Sequence, residues 1–295
     1  MLLLRSFASL TLGSLWCILY AAPQQPGANP ALPNPQEASQ IPVPGIRSPL
    51  TPGSQHHFGE IATRWIPPGR FLMGSPQSEA DRDSDEDQHE VVLTHGFFMA
   101  ETECSQSLYE SVTGSNPAAY RGPNQPVEKV TWDDANAFCE LLTAQHQHQG
   151  ILPQGWEWQL PTEAQWEYAC RAGTTTPRYG NLDAIAWHRE NCIDQHHNSG
   201  ALQPNDWGLY DMLGNVWEWC SDFYSAYPTN TVTDPTGPST GHYRTLRGAS
   251  WYDKPYRARS AYRFWLPPEF TFATLGIRPV LVPVSSSKPA IHESE

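Results

Sequence analysis

Asp211 and Glu218 stand seven residues apart, on either side of a Gly214-Asn215 bend. A bend of this kind can turn main-chain carbonyls inward, and Gly214 and Val216 are placed to offer theirs. Hard oxygen donors from side chains and backbone suit Ca²⁺, so Asp211, Gly214, Val216 and Glu218 form a candidate calcium site. The plainer alternative is a capped turn with Glu218 in a salt bridge. Further on, Trp251, Tyr252, Asp253, Arg257, Arg259, Tyr262, Arg263 and Trp265 follow Ser250 closely. Aromatic rings with Arg and Asp can line a ligand pocket; the alternative is a core strand beside a solvated Arg face. His188, His196 and His197 lie close together, but the chain has neither the paired His spacing of a zinc protease nor a Gly-x-Ser-x-Gly turn. A fortuitous or solvated cluster is the expectation there.

The six cysteines are Cys17, Cys104, Cys139, Cys170, Cys192 and Cys220. Setting aside Cys17, in the apolar N-terminal run, an odd five remain. In an exported chain that leaves at least one free thiol or an intermolecular bond. No Cys-x-x-Cys or zinc-type spacing occurs. Formal net charge is −13, from 31 acidic and 18 basic residues. That balance disfavours nucleic acid or an anionic membrane as the main partner.

The stretch Gly208-Leu-Tyr-Asp-Met-Leu-Gly-Asn-Val-Trp-Glu-Trp219 resembles the signature of the formylglycine-generating enzyme (sulfatase-modifying factor) family. Other matching blocks follow the family's order: Phe71–Ser75, Phe98–Glu103, Gln125–Ala135, Leu160–Cys170, Leu246–Trp251 and Leu275–Arg278. The resemblance implies an α+β fold of the irregular C-type-lectin-like kind, with few helices, short strands and long loops. It also implies structural calcium at the four residues above, with Asp211 where the family often has Asn. It places Trp217 and Ser250 near a substrate groove, to which Trp251 and Asp253 are added.

Family enzymes bind Cu(I) through two cysteines just after a Gly-Gly-Ser strand. Here Gly248-Ala-Ser250 matches that strand, and Asp253 stands where the first cysteine is expected. No cysteine follows Cys220. Carboxylate is a hard ligand and thiolate a soft one, so copper is not expected. No catalytic residue is assigned. Two functions stay open. One is a divergent oxidoreductase that acts on a protein or small molecule without the cysteine–copper mechanism. The other is a non-catalytic, calcium-stabilised module binding a peptide or glycan.

The elements that must position these residues have local signatures. Ser105, Thr131 and Thr162 read as N-caps of three helices, Thr162 with Gln165 as a capping box. Gly114 and Gly173 end the first and third. Arg64–Met73 reads as two short strands across a Pro-Gly turn, Val91–Leu93 and Phe97–Met99 as strands. Trp217 alternates into a strand, Leu246–Trp251 is a strand with a Gly kink, and Val232–Gly241 is a loop. The run Glu79–Glu90, with seven acids, reads as a solvated loop.

Residues 1–22 have the layout of a secretory signal peptide, so an exported protein, periplasmic or extracellular, is expected. Residues 23–57 form a Pro-rich, disordered linker, with nine Pro between 23 and 53. The folded domain spans 58–283, and 284–295 are a polar, disordered tail. A monomer with no membrane span after signal removal is expected.

Overall fold

The computed structural model describes residues 50–284. The signal segment, most of the linker and all but the first residue of the tail lie outside the described residues. Twelve strands and four α-helices are present among the described residues. In chain order they begin with β1 (Gln55–Phe58), β2 (Ile61–Ile66), β3 (Gly69–Met73), β4 (His89–Leu93), β5 (Phe97–Ala100), α1 (Gln106–Thr113) and α2 (Trp132–His148). β6 (Trp156–Gln159), α3 (Glu163–Arg171), α4 (Leu182–Ile185), β7 (Trp217–Phe223) and β8 (Val232–Thr233) follow. β9 (Arg244–Arg247), β10 (Phe264–Leu266), β11 (Leu275–Gly276) and β12 (Val280–Pro283) complete the fold.

Three sheets form, in the orders β1-β2-β5-β12-β6, β10-β9-β7-β11 and β3-β4-β8. The C-terminal β12 lies between β5 and β6, antiparallel to both. Early and late chain therefore share one sheet. Phe97-Phe-Met-Ala100 is buried throughout, as a central strand covered on both faces requires. Few helices, short strands and long loops give the α+β, C-type-lectin-like architecture expected of the sequence.

The helix starts follow their caps. Ser105 accepts from Leu108 N, Thr131 from Asp134 N and Thr162 from Gln165 N, the last two in reciprocal capping boxes. α1 ends at Gly114 in a left-handed conformation. α3 ends one residue before the glycine, at Ala172, which itself adopts φ 44°. On α2, Ala135, Phe138, Cys139 and Leu142 form the buried face.

Several expectations are corrected. β1 pairs with β2 from Gln55 onward and Leu50 is buried, so ordered structure begins inside the segment read as linker. The two short strands expected across the Pro-Gly turn are present as β2 and β3, and they enter different sheets. β6 was not foreseen, and β8 adds a two-residue strand parallel to β4 within the expected loop.

Glu86 of the acidic run and Arg259 and Arg263 of the Arg face are buried, whereas Asp81, Asp83 and Asp87 are exposed as a solvated loop requires. Arg259 is buried and bonds Glu86 at 2.6 Å and Glu79 at 2.7 Å. Arg263 meets Glu163 at 2.7 Å, and Arg278 meets Glu218 at 2.8 Å. Arg247 pairs with Glu167, which Arg171 also holds at 2.8 Å. Burial alone would raise the Glu163 carboxyl, but Arg263 and Arg247 hold it below its usual range. Arg259 does the same for Glu86.

Candidate functional site

The turn before β7 takes its shape from left-handed residues. Gly214 sits at φ 81°, where a Cβ would lie 2.3 Å from Trp187 O, so only glycine fits. Asp211 and Asn215 have φ 53° and 56°, a region that Asp and Asn tolerate better than most residues. Asn215 is buried and joins four segments. Its Nδ2 donates to Glu103 Oε2 at 2.9 Å, and its Oδ1 accepts from His197 N at 2.9 Å. Its main chain bonds Trp187 O and Trp251 N.

Of the four sequence-predicted calcium ligands, Gly214 and Val216 lie in this turn, and Val216 N donates to Glu103 Oε1 at 3.3 Å. The Glu218 carboxylate is held by Arg278 (2.8–3.1 Å) and by Trp166 Nε1 at 2.6 Å. Asp211 Oδ2 accepts from Gly200 N at 2.5 Å, whereas its Oδ1 is buried without a partner. Glu103, absent from the predicted set, accepts from Ser199 Oγ at 2.7 Å, one residue before the Asp211 donor. Burial pushes the Asp211 carboxyl up to about 6. Burial and then Asp211 itself raise Glu103 well above its usual range. An unpartnered buried carboxylate oxygen beside a second acid fits a hard cation. Glu103 would stand with Asp211 around it, while Glu218 belongs to Arg278. The only hint in the sequence was the acid ending the block Phe98–Glu103.

The second region follows β9. Gly248 and Ala249 both have positive φ, 98° and 64°, so the strand breaks where a glycine kink was expected. Ser250 Oγ donates to Asp253 Oδ2 at 2.6 Å and Ser250 N to the same oxygen at 3.0 Å. Arg257 Nη1 donates to Asp253 Oδ1 at 2.8 Å. The Arg257 guanidinium lies over the Tyr262 ring, which contacts Trp217. The structure thus connects Trp217 to Ser250 and Asp253 through Tyr262 and Arg257. Trp251 reaches Ala273 O through Nε1 and meets Tyr120 edge-on.

An open groove does not result: relative exposures are 4% for Trp217, 1% for Ser250, 6% for Trp251 and 8% for Asp253. Exposed residues of this face include Tyr252 (56%), under Arg189, Lys254 and Tyr256. Cavities of about 470, 300 and 260 Å³ lie elsewhere, the largest beside Phe97, Thr162 and Asp234 and the other two near Glu60 and Leu108.

All five described cysteines are free thiols. Cys104, Cys139, Cys170 and Cys220 are buried, and burial raises each thiol. Cys192 is half-buried and donates to Trp251 O at 3.1 Å. With a carboxylate at position 253 and no pair of thiols beside it, the site does not fit Cu(I). Of the two expectations for the histidines, fortuitous or solvated, burial removes the second for His188 and His196. His197 stacks on Trp187 at 3.8 Å.

The profile of the "Sulfatase-modifying factor enzyme 1-like domain" family matches residues 52–282. The chain belongs to this family. A formylglycine-generating enzyme of Streptomyces coelicolor is 35% identical over 180 residues, covering 53% of this chain and 52% of that protein. The Bos taurus enzyme is 30% identical over 186 residues, covering 56% and 46%. The chain thus spans about half the length of these curated relatives. Among solved structures, "Treponema denticola variable protein 1" superposes with a TM-score of 0.70 at 26% identity, covering 78% of this chain and 99% of that one. In this family member no helix among the described residues is long and apolar enough to cross a membrane.

Proposed function

We propose that this chain is an exported, calcium-stabilised family member that binds a peptide, protein or glycan and does not perform the cysteine–copper oxidation. The observation that carries this reading is Asp253. It stands where the resemblance expects the first copper thiol, and its carboxylate is engaged by Ser250 and Arg257. The surface beside it offers Tyr252, Tyr256 and Arg257, side chains suited to a contact face. Export rests on the sequence of residues 1–22, and N-terminal sequencing of the mature protein checks it. Calcium at Asp211 and Glu103 is part of this proposal and rests on the unpartnered Asp211 Oδ1.

A second reading, the divergent oxidoreductase, is favoured by the 35% identity to a formylglycine-generating enzyme and by Cys192 beside Trp251. One experiment tests whether the cysteine–copper oxidation is absent, as both readings require. The full chain is incubated with a cysteine-containing sulfatase-motif peptide, copper and oxygen, and the peptide is weighed by mass spectrometry. An unchanged cysteine is expected. Copper-dependent formylglycine would overturn both, and its loss in Cys192→Ser would identify a recruited thiol.

A further inference from the structure

Glu128 and His196 are fully buried and belong to neither the calcium cluster nor the Asp253 region. Glu128 Oε1 accepts from the backbone N–H groups of Ala119 at 2.5 Å and Tyr120 at 2.9 Å. Its Oε2 has no partner, and neither has either ring nitrogen of His196. The Tyr120 ring stands edge-on to both His196 and Trp251, closing the pair off below the Trp251 face. A buried carboxylate without a cation, beside an imidazole without a hydrogen bond, is an unfavourable arrangement unless something lies between them.

The spacing says what that is. His196 Nε2 lies 3.7 Å from Glu128 Oε1, too far for a hydrogen bond. A water about 2.8 Å from each atom would have to bridge this 3.7 Å gap at an angle of roughly 80°, far tighter than its tetrahedral preference. A cation about 2.1 Å from each would span the same 3.7 Å at roughly 120°, an ordinary angle between two metal ligands. One imidazole nitrogen with carboxylate oxygen suits zinc or another first-row divalent ion, not the all-oxygen calcium shell.

We propose that Glu128 and His196 form a binding site for a first-row divalent transition cation, separate from the calcium cluster. Gln125 Oε1, three residues before Glu128, is also buried without a partner and is a candidate third donor. Ser199 N donates to Asn124 O at 3.1 Å, so the segments carrying the ligands already touch. The ion would pin them together beneath Trp251.

The test is zinc titration of the full chain by calorimetry in calcium-saturated buffer. One tight site per chain is expected. His196→Gln and Glu128→Gln should each weaken it by roughly tenfold or more, whereas His57→Gln, at an exposed histidine, should not. Circular dichroism and calcium binding report whether each variant folds. If Glu128→Gln fails to fold, His196→Gln alone decides. Absence of zinc uptake, or equal affinity in the wild type and a folded His196→Gln, overturns the proposal.

Discussion

Glu86, Glu163 and Glu167 lie as deep in the molecule as Glu103, Asp211 and Asp222, and differ from them in what stands opposite. The first three face Arg259, Arg263, Arg247 and Arg171, with guanidinium nitrogens at 2.6–2.8 Å or closer. Glu86 and Glu163 are held below their usual range as a result. Around Glu103 and Asp211 the direct donors are neutral: Ser199, Asn215, Val216 and Gly200. Their carboxyls rise, and so does Asp222, which bonds only Glu163 N and Ser221 Oγ. The Arg-paired region carries its own compensation. The Arg-poor region must acquire a cation or a proton.

The largest effect that could break this contrast is removal of a guanidinium. Arg247 holds Glu167 and also donates to the carbonyls of Ser260, Ala261 and Tyr262. Arg247→Met should cost about 3–5 kcal/mol, because Glu167 loses a buried partner. Denaturant midpoints in calcium and in chelator should fall together. A loss below about 1 kcal/mol would mean that Arg171 alone compensates Glu167.

Calcium should act only on the other region. Binding to the native state alone stabilises by about 2.7 kcal/mol at a hundredfold excess over Kd. A higher Tm in calcium than in chelator is expected for the wild type. Equal melting in both would remove the cation from the Arg-poor region and leave a proton as its compensation.

Proton compensation has its own signature at Asp222. Burial, and then Glu163, pushes this carboxyl from its ordinary 3.8 up to about 7. A raised carboxyl makes its full contribution to stability below the ordinary value and loses it as pH rises through the folded value. Stability should therefore decline on this account between pH 3.8 and about 7, and Asp222→Asn should flatten that limb of the profile. Glu86 and Glu163, with lowered carboxyls, act in the opposite sense: their contribution is lost as pH falls. An unchanged neutral limb in Asp222→Asn would show that Asp222 is ionised at no cost.

How much of this was legible in the sequence follows from the range of each interaction. Ser105, Thr131 and Thr162 cap N–H groups three residues ahead, so four residues contain the whole signal. The turn at Gly214 was legible for the same reason. Glu103 and Asn215 meet across 112 positions, and Arg259 and Glu86 across 173. Neither partner carries a local mark of the other, so the acidic run reads as solvated and the Arg run as either a pocket lining or a solvated face. The salt-bridge alternative for Glu218 could not be given a partner from sequence, because Arg278 is 60 residues away. The resemblance brought Trp217, Ser250 and Asp253 to one region, but not the closure of that region, which depends on packing of Tyr262 and Trp251. Four-residue β6 has its place only beside β12, at the far end of the chain.

The smallest predicted effect is also the sharpest on the contrast, because it should have the opposite sign in the two regions. In chelator, Asp211→Asn removes a buried acid that raises Glu103, and should be neutral or stabilising by about 1 kcal/mol. The backbone permits the change: φ at this position is 53°, where Asn is at ease. The amide oxygen can still accept from Gly200 N. Glu167→Gln should instead destabilise in chelator and calcium alike, since Arg247 and Arg171 then face a neutral amide in a buried site. With calcium added, Asp211→Asn should lose most of the wild-type gain in Tm. Chemical denaturation of both variants with and without calcium checks all four values. If Asp211→Asn in chelator loses as much as Glu167→Gln, then Arg278 compensates both Glu218 and Asp211, and the two regions are one charge network.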